Sequence, residues 1–87
     1  MIKLASLDGT VIELLEYVTH PTELVEIPVY NVGACHLALR VENAEDAYLR
    51  LKENNITVLS PPIMSSEGIA KVSFCLDPNN VRIELVE

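Results

Sequence analysis

Two segments of this 87-residue chain repeat one another, one near each end. Residues 7–17 read LDGTVIELLEY and residues 76–87 read LDPNNVRIELVE. Each begins with Leu-Asp, passes through a turn, and continues as an apolar run that contains Ile-Glu-Leu. A charged side chain in an apolar strand is costly unless it has a partner. The repeat therefore predicts two related hairpins, with Glu13 and Glu84 at equivalent positions.

Short apolar runs and turn residues predict a chain made mostly of β-strands. The Asp-Gly pair at residues 8–9 is a two-residue hairpin signal between strands at 2–7 and 10–18. Residues 19–32 contain two prolines and show no clear period, which predicts a linker. A third strand follows at 34–41, where His36, Ala38 and Arg40 share one face. Residues 70–77 and 81–87 predict a closing hairpin.

A helix is expected at residues 44–54, because apolar residues recur there with helical spacing. Asn43 can serve as its N-cap, and Asn55 can take a left-handed conformation after its end. We expect its apolar side to pack on the third strand, through Ala44, Tyr48 and Leu51 against Leu37, Leu39 and Val41. A strand is expected at 56–60, ended by Pro61 and Pro62, with a loop to Gly68. The order from residue 33 is therefore β-α-β-β-β, and the fold class is α+β with a mostly antiparallel sheet.

Composition limits the partners and the location. The net charge of −7 disfavours nucleic acid and anionic membranes as partners. No apolar run has the length of a membrane span, and the first residues lack the apolar core of a signal peptide, so we expect a cytoplasmic protein. Cys35 and Cys75 are too few for a disulfide framework and are expected to behave as small apolar residues.

The stretch GACHLALRVENAEDAYLRLKENNITVLSPP, with EGIAKVSFCLDPNNVRIELVE, resembles the second module of the vicinal oxygen chelate superfamily. That superfamily includes glyoxalase I, methylmalonyl-CoA epimerase, extradiol dioxygenases and the bleomycin and fosfomycin resistance proteins. The resemblance implies a glyoxalase-like fold built from βαβββ modules that pair into a cupped sheet. It implies one domain over residues 1–87, with the end of a first module (1–18), a linker (19–32) and a complete module (33–87).

The resemblance also implies which residues bind a divalent metal. His36 matches the ligand on the first strand of the second module, and Glu84 matches the ligand on its last strand. Glu13 matches the last-strand ligand of the first module. A fourth ligand belongs to a first-module strand that these 87 residues lack. We expect two chains to form a homodimer in which each complete module is the other's partner, so that two His36 and two Glu84 restore a four-ligand set. In a competing arrangement the hairpin packs against its own module and leaves His36, Glu84 and Glu13 in one chain.

The residues alone leave simpler interpretations open. His36 would fit a hydrogen-bonded structural residue, and Glu84 would fit a solvated position on a half-exposed face. Glu13 shares its face with apolar neighbours and must be paired, protonated or bound to metal. Arg40 shares the face of His36 and would suit an anionic substrate group, or else an ion pair with Glu84 or Asp46.

The implied function is that of a glyoxalase-like, metal-dependent lyase or isomerase acting on a small oxygenated metabolite. In the superfamily the metal, here Zn²⁺, Ni²⁺, Co²⁺, Mn²⁺ or Fe²⁺, stabilises a developing enediolate while a carboxylate such as Glu84 or Glu13 takes a proton next to a carbonyl. One alternative is a non-catalytic protein of the bleomycin-resistance type that sequesters a ligand. Another is a truncated, inactive member.

Overall fold

The strands and the helix follow one another in the predicted order. The computed structural model describes residues 1–87. The elements are β1 (Ile2–Ala5), β2 (Val11–Leu14), β3 (Leu37–Arg40), α1 (Ala44–Glu53), β4 (Ile63–Met64), β5 (Lys71–Leu76) and β6 (Arg82–Val86). Several strands are shorter than predicted. For example, β3 begins only after His36. The α+β class and the single helix are confirmed.

The N-terminal hairpin is a two-stranded antiparallel sheet of β1 and β2. Its turn takes up residues 6–10 and is longer than the two-residue turn that the Asp-Gly pair predicted. Gly9 has a φ of 91°, a left-handed value that costs glycine little. The Asp8 carboxylate accepts hydrogen bonds from the Ser6 hydroxyl and the Thr10 amide. These bonds, that of Ser6 foremost, lower the pKa of Asp8 to about 2.

The second sheet has four strands in the order β3-β6-β5-β4. The β3 and β6 strands run parallel, with Leu37 opposite Ile83, and the other two pairings are antiparallel. Phe74 on β5 lies directly opposite Glu84 on β6. The chain reaches β6 last, yet β6 is inserted between β3 and β5 and is hydrogen-bonded on both sides.

The core lies between α1 and β5, and it is small. Only four of the 87 residues are buried: Ala44, Ser73, Cys75 and Leu85. The expected packing of the helix on the third strand is wrong, because α1 lies over β5 instead. As a consequence Leu37 and Leu39 on β3 remain 38% and 36% exposed.

Two side chains cap the first turn of α1. The Asn43 side chain accepts a hydrogen bond from the Asp46 amide at 2.9 Å, as expected of an N-cap. The Glu87 carboxylate accepts the Ala44 amide at 2.7 Å, which joins the residue after β6 to the start of the helix. At the other end Asn54 is the C-cap, and Asn55 takes the predicted left-handed conformation with a φ of 59°.

The strand predicted at 56–60 is reduced to a single bridge, and the regular strand β4 lies after the two prolines. Residues 57–59 run beside β5 through a single bridge, Val58 to Cys75, and regular pairing begins only at Ile63. Pro61 and Pro62 separate the two stretches because proline has no amide hydrogen to donate to the sheet. The prolines therefore interrupt the pairing with β5 and do not end it.

The hairpin and the four-stranded sheet share no strand pairing. The division of one domain into residues 1–18, 19–32 and 33–87 stays a prediction. The one helix of the chain is too short to cross a membrane.

Replacing Leu85 by Ala should lower the free energy of unfolding by about 2–4 kcal/mol, because a buried leucine leaves a cavity when it is truncated. Leu49→Ala is the matched control: Leu49 is 54% exposed on α1, and its loss should cost less than about 0.5 kcal/mol. Urea unfolding followed by circular dichroism measures both. Equal effects of the two substitutions would contradict the core described above.

Candidate metal and ligand site

One face of the four-stranded sheet packs against α1, and the opposite face is open. Side chains alternate along a strand, so the neighbours of the buried Ser73, Cys75 and Leu85 point away from the helix. Phe74 and Glu84 are therefore on the open face.

His36 and Glu84 meet on this open face although 47 residues of chain separate them. Nε2 of His36 lies 2.8 Å from Oε1 of Glu84, within hydrogen-bond distance. The parallel register explains the contact. Leu37 is paired with Ile83, and His36 and Glu84 are the residues just before the first and just after the second, so they are diagonal neighbours on one face. The His36 ring also meets the Phe74 ring edge-on, at 5.6 Å between centroids and 72° between planes. The imidazole thus has one polar and one aromatic neighbour.

Both side chains remain reachable by a ligand. The His36 side chain is 43% exposed and that of Glu84 is 22% exposed. An imidazole nitrogen and a carboxylate oxygen are ligands that suit divalent transition metals. Because the nitrogen and the oxygen already converge, the pair can contribute two donors to one ion. No group of three or more His, Cys, Asp or Glu side chains arranged to hold a metal occurs in the chain.

Glu13 does not join this pair. It lies on β2 of the separate hairpin, directly opposite Lys3, and the carboxylate is 3.6 Å from the Lys3 ammonium. The apolar neighbours that made Glu13 conspicuous in the sequence are themselves exposed, for example Val11 and Leu15. An exposed ion pair with lysine therefore satisfies this carboxylate.

Arg40 and His20 stand apart from the pair. Arg40 is exposed at the end of β3 and forms an ion pair with neither Glu84 nor Asp46. The His20 ring is within hydrogen-bond distance of the neighbouring Thr19 hydroxyl, at 2.9 Å.

The two cysteines are unpaired and differ in exposure. Cys75 is buried, and burial raises the pKa of its thiol, with a further contribution from the charge of Asp77. A buried protonated thiol is a poor nucleophile and a poor metal ligand. Cys35 is exposed and directly precedes His36.

A cleft of about 260 Å³ opens beside His36, between the linker and the adjoining ends of β3 and β6. Val25, Ile27 and Val29 of the linker form its apolar wall. Arg82 lines it on the sheet side. Sequence reasoning passed over Arg82, whose only signal was its place two residues before Glu84 on the same strand face.

Several solved structures resemble this chain. One is a member of the glyoxalase/bleomycin resistance protein/dioxygenase superfamily from Sphaerobacter thermophilus, with 29% identity, a TM-score of 0.56, and coverage of 59% of this chain and 40% of that one. A second, SMU.1112c, has 30% identity and a TM-score of 0.63 over 77% of this chain and 50% of that one. A third, a conserved domain protein with 23% identity and a TM-score of 0.54, covers 75% and 55% and bears on the fold alone.

The chain spans only about 40–55% of the length of these structures. No protein-family model matches the chain. No curated protein matches it either.

Proposed function

We propose that this chain, which has the fold of the glyoxalase/bleomycin resistance protein/dioxygenase superfamily, is a metal-dependent lyase or isomerase. Its proposed substrate is a small oxygenated metabolite. His36 and Glu84 are the proposed metal ligands. The observation that carries the proposal is the 2.8 Å approach of the His36 nitrogen to the Glu84 oxygen on the open face of the sheet.

The donor set fits half of a four-ligand site. One nitrogen and one carboxylate suit Zn²⁺, Ni²⁺, Co²⁺, Mn²⁺ or Fe²⁺, and the affinity order of these ions does not select among them. A bound divalent ion would supply Lewis acidity toward the substrate oxygens. The protein's own contribution is to orient the substrate and to move a proton. Glu84 is the proposed base, since a partly exposed carboxylate on the open face can accept a proton from a carbon next to a carbonyl.

We propose that the other two donors come from a second copy of the chain. The strand that follows His36, β3, is an edge strand of the sheet, because it pairs with β6 on one side and with no strand on the other. All four residues of β3 are exposed. A free edge strand of this kind is a template for pairing with another chain. A second copy docked at β3 would bring its own His36 and Glu84 beside the first pair.

The shortage of buried surface supports the same proposal. With four buried residues the chain has little core of its own, and most of its large apolar side chains are at least one-third exposed. A homodimer would bury part of this surface. The proposed location is the cytoplasm, where the exposed free thiol of Cys35 would stay reduced.

A second candidate function is ligand sequestration of the bleomycin-resistance type, without metal. It is favoured by the absence of any three-donor group within one chain and by the partly apolar cleft beside His36. A small-molecule partner is common to both candidates. Metal binding separates them.

His36→Ala and Glu84→Gln should each weaken the binding of Ni²⁺ or Zn²⁺ by at least about tenfold, because the remaining donors no longer complete the coordination geometry. Isothermal titration calorimetry measures the affinity, and the wild-type stoichiometry should be one metal per two chains. The repeated motif offers a matched control: Glu13→Gln makes the same chemical change at the equivalent position of the hairpin and should leave the affinity within about twofold.

Unchanged affinity in both His36→Ala and Glu84→Gln would contradict the metal site. Absence of binding in the wild type would instead favour the sequestering protein or an inactive member of the superfamily.

Sedimentation equilibrium at tens of micromolar should show a dimer, more stable with metal than without it, because metal that binds only the dimer favours it by mass action. Leu39→Arg on β3 should shift the protein toward monomer by placing a charge at the proposed interface. Leu49→Arg, at an exposed position on α1, is the matched control and should leave the dimer intact. A strictly monomeric wild type would rule out the shared site.

A further inference from the structure

Arg82 is a half-buried cation that has no anionic partner within the chain. Its guanidinium forms no ion pair, and none of the side-chain hydrogen bonds of the protein includes it. By contrast Lys3 pairs with Glu13, and Lys71 lies 3.9 Å from Glu45. The other two arginines, Arg40 and Arg50, are also unpaired, but both are exposed to solvent, so Arg82 is the one arginine that is half-buried without a partner.

The position of Arg82 explains why it lacks a partner. It lines the cleft beside His36 and also a second cleft of about 350 Å³ between residues 25–28 and the ends of β5 and β6. Glu26 lines that second cleft but does not come within ion-pair distance of Arg82. The planar fork of an arginine is suited to hold a carboxylate through two parallel hydrogen bonds. A ligand carboxylate in the first cleft would supply the missing anion.

We propose that the cleft between the linker and the ends of β3 and β6 binds a short-chain carboxylate, with its charged end on Arg82 and its apolar body against the linker. Asn79 and Asn80 line the same cleft, and their side-chain amides can donate further hydrogen bonds to the carboxylate. The apolar wall of Val25, Ile27 and Val29 takes the hydrocarbon part.

The size of the cleft sets the size of the ligand. Its volume of about 260 Å³ is below the range of roughly 300–1,000 Å³ that holds drug-sized ligands. A carboxylate with a short or branched alkyl chain is of the right scale, and a nucleotide is too large.

This assignment rests on the proposed function and names its substrate class. His36 lines the cleft and touches Glu84, so a ligand held by Arg82 lies next to the proposed metal ligands. The register supports the same geometry, because His36 and Arg82 directly precede the paired residues Leu37 and Ile83. Arg82 would then be a substrate-binding residue that selects for a carboxylate.

The test is a titration of isotope-labelled protein with isovalerate, followed by amide chemical shifts, in buffer that contains a chelator. Isovalerate has both a carboxylate and a branched apolar body, and we expect it to shift the amides of the cleft. Isoamyl alcohol has the same carbon skeleton without the charge, and acetate has the charge without the body. Both should bind at least about tenfold more weakly, since the alcohol lacks the carboxylate and acetate lacks the branched apolar body.

Arg82→Ala should weaken isovalerate binding at least about tenfold, and Arg82→Lys should give an intermediate loss, because it keeps the charge but not the fork. Arg50→Ala, an exposed arginine on α1, is the matched control and should bind as the wild type does. If Arg82→Ala does not fold, the lysine variant and the comparison with isoamyl alcohol decide the question.

Three results would overturn the assignment: no shift of the cleft amides by isovalerate, equal binding of isoamyl alcohol, or undiminished binding by the Arg82 variants. Because the titration excludes metal, its failure is distinct from failure of the metal site. Loss of metal binding in the His36 and Glu84 variants can be observed whether or not isovalerate binds.

Discussion

The site depends on the insertion of β6 between β3 and β5. This strand is hydrogen-bonded on both sides, and its register with each neighbour is fixed. The parallel pairing with β3 brings His36 to Glu84, and the antiparallel pairing with β5 sets Phe74 opposite Glu84. A shift of β6 by one residue would turn Glu84 toward α1, where a buried carboxylate would be costly. Leu85, the buried residue of β6, opposes such a shift because it fills the core on the other face.

The same sheet leaves a problem that a single chain does not solve. The helix covers β5 but not β3, so β3 is both an open edge and an exposed face. In the proposed dimer, one contact would cover the open edge of β3, bury more apolar surface and complete the set of metal ligands. The proposed carboxylate cleft is formed within one chain, by the linker and the adjoining ends of β3 and β6, and it shares His36 with the proposed dimer site.

The sequence predicted the fold better than the site. Turn residues, helical spacing and the resemblance to the glyoxalase/bleomycin resistance protein/dioxygenase superfamily gave the correct class and element order, and the resemblance is confirmed at the level of the fold. The errors have physical causes. Pro61 and Pro62 interrupt the pairing with β5, and the local residue pattern does not show that regular pairing resumes at Ile63. The capping by Glu87 and the unpaired state of Arg82 depend on contacts between distant segments, which periodicity cannot reveal. Glu13 looked equivalent to Glu84, yet its surroundings differ because the hairpin forms its own sheet.

The central claim is that one metal ion is shared by two chains through His36 and Glu84. X-ray absorption spectroscopy of the nickel-loaded protein tests it most directly, because the scattering of imidazole rings reveals how many histidines bind each ion. The chain has only two histidines, so His20→Ala leaves His36 as the sole source of imidazole. The account predicts two imidazoles per nickel in both the wild type and His20→Ala. A single imidazole per nickel, or the loss of one in His20→Ala, would contradict it.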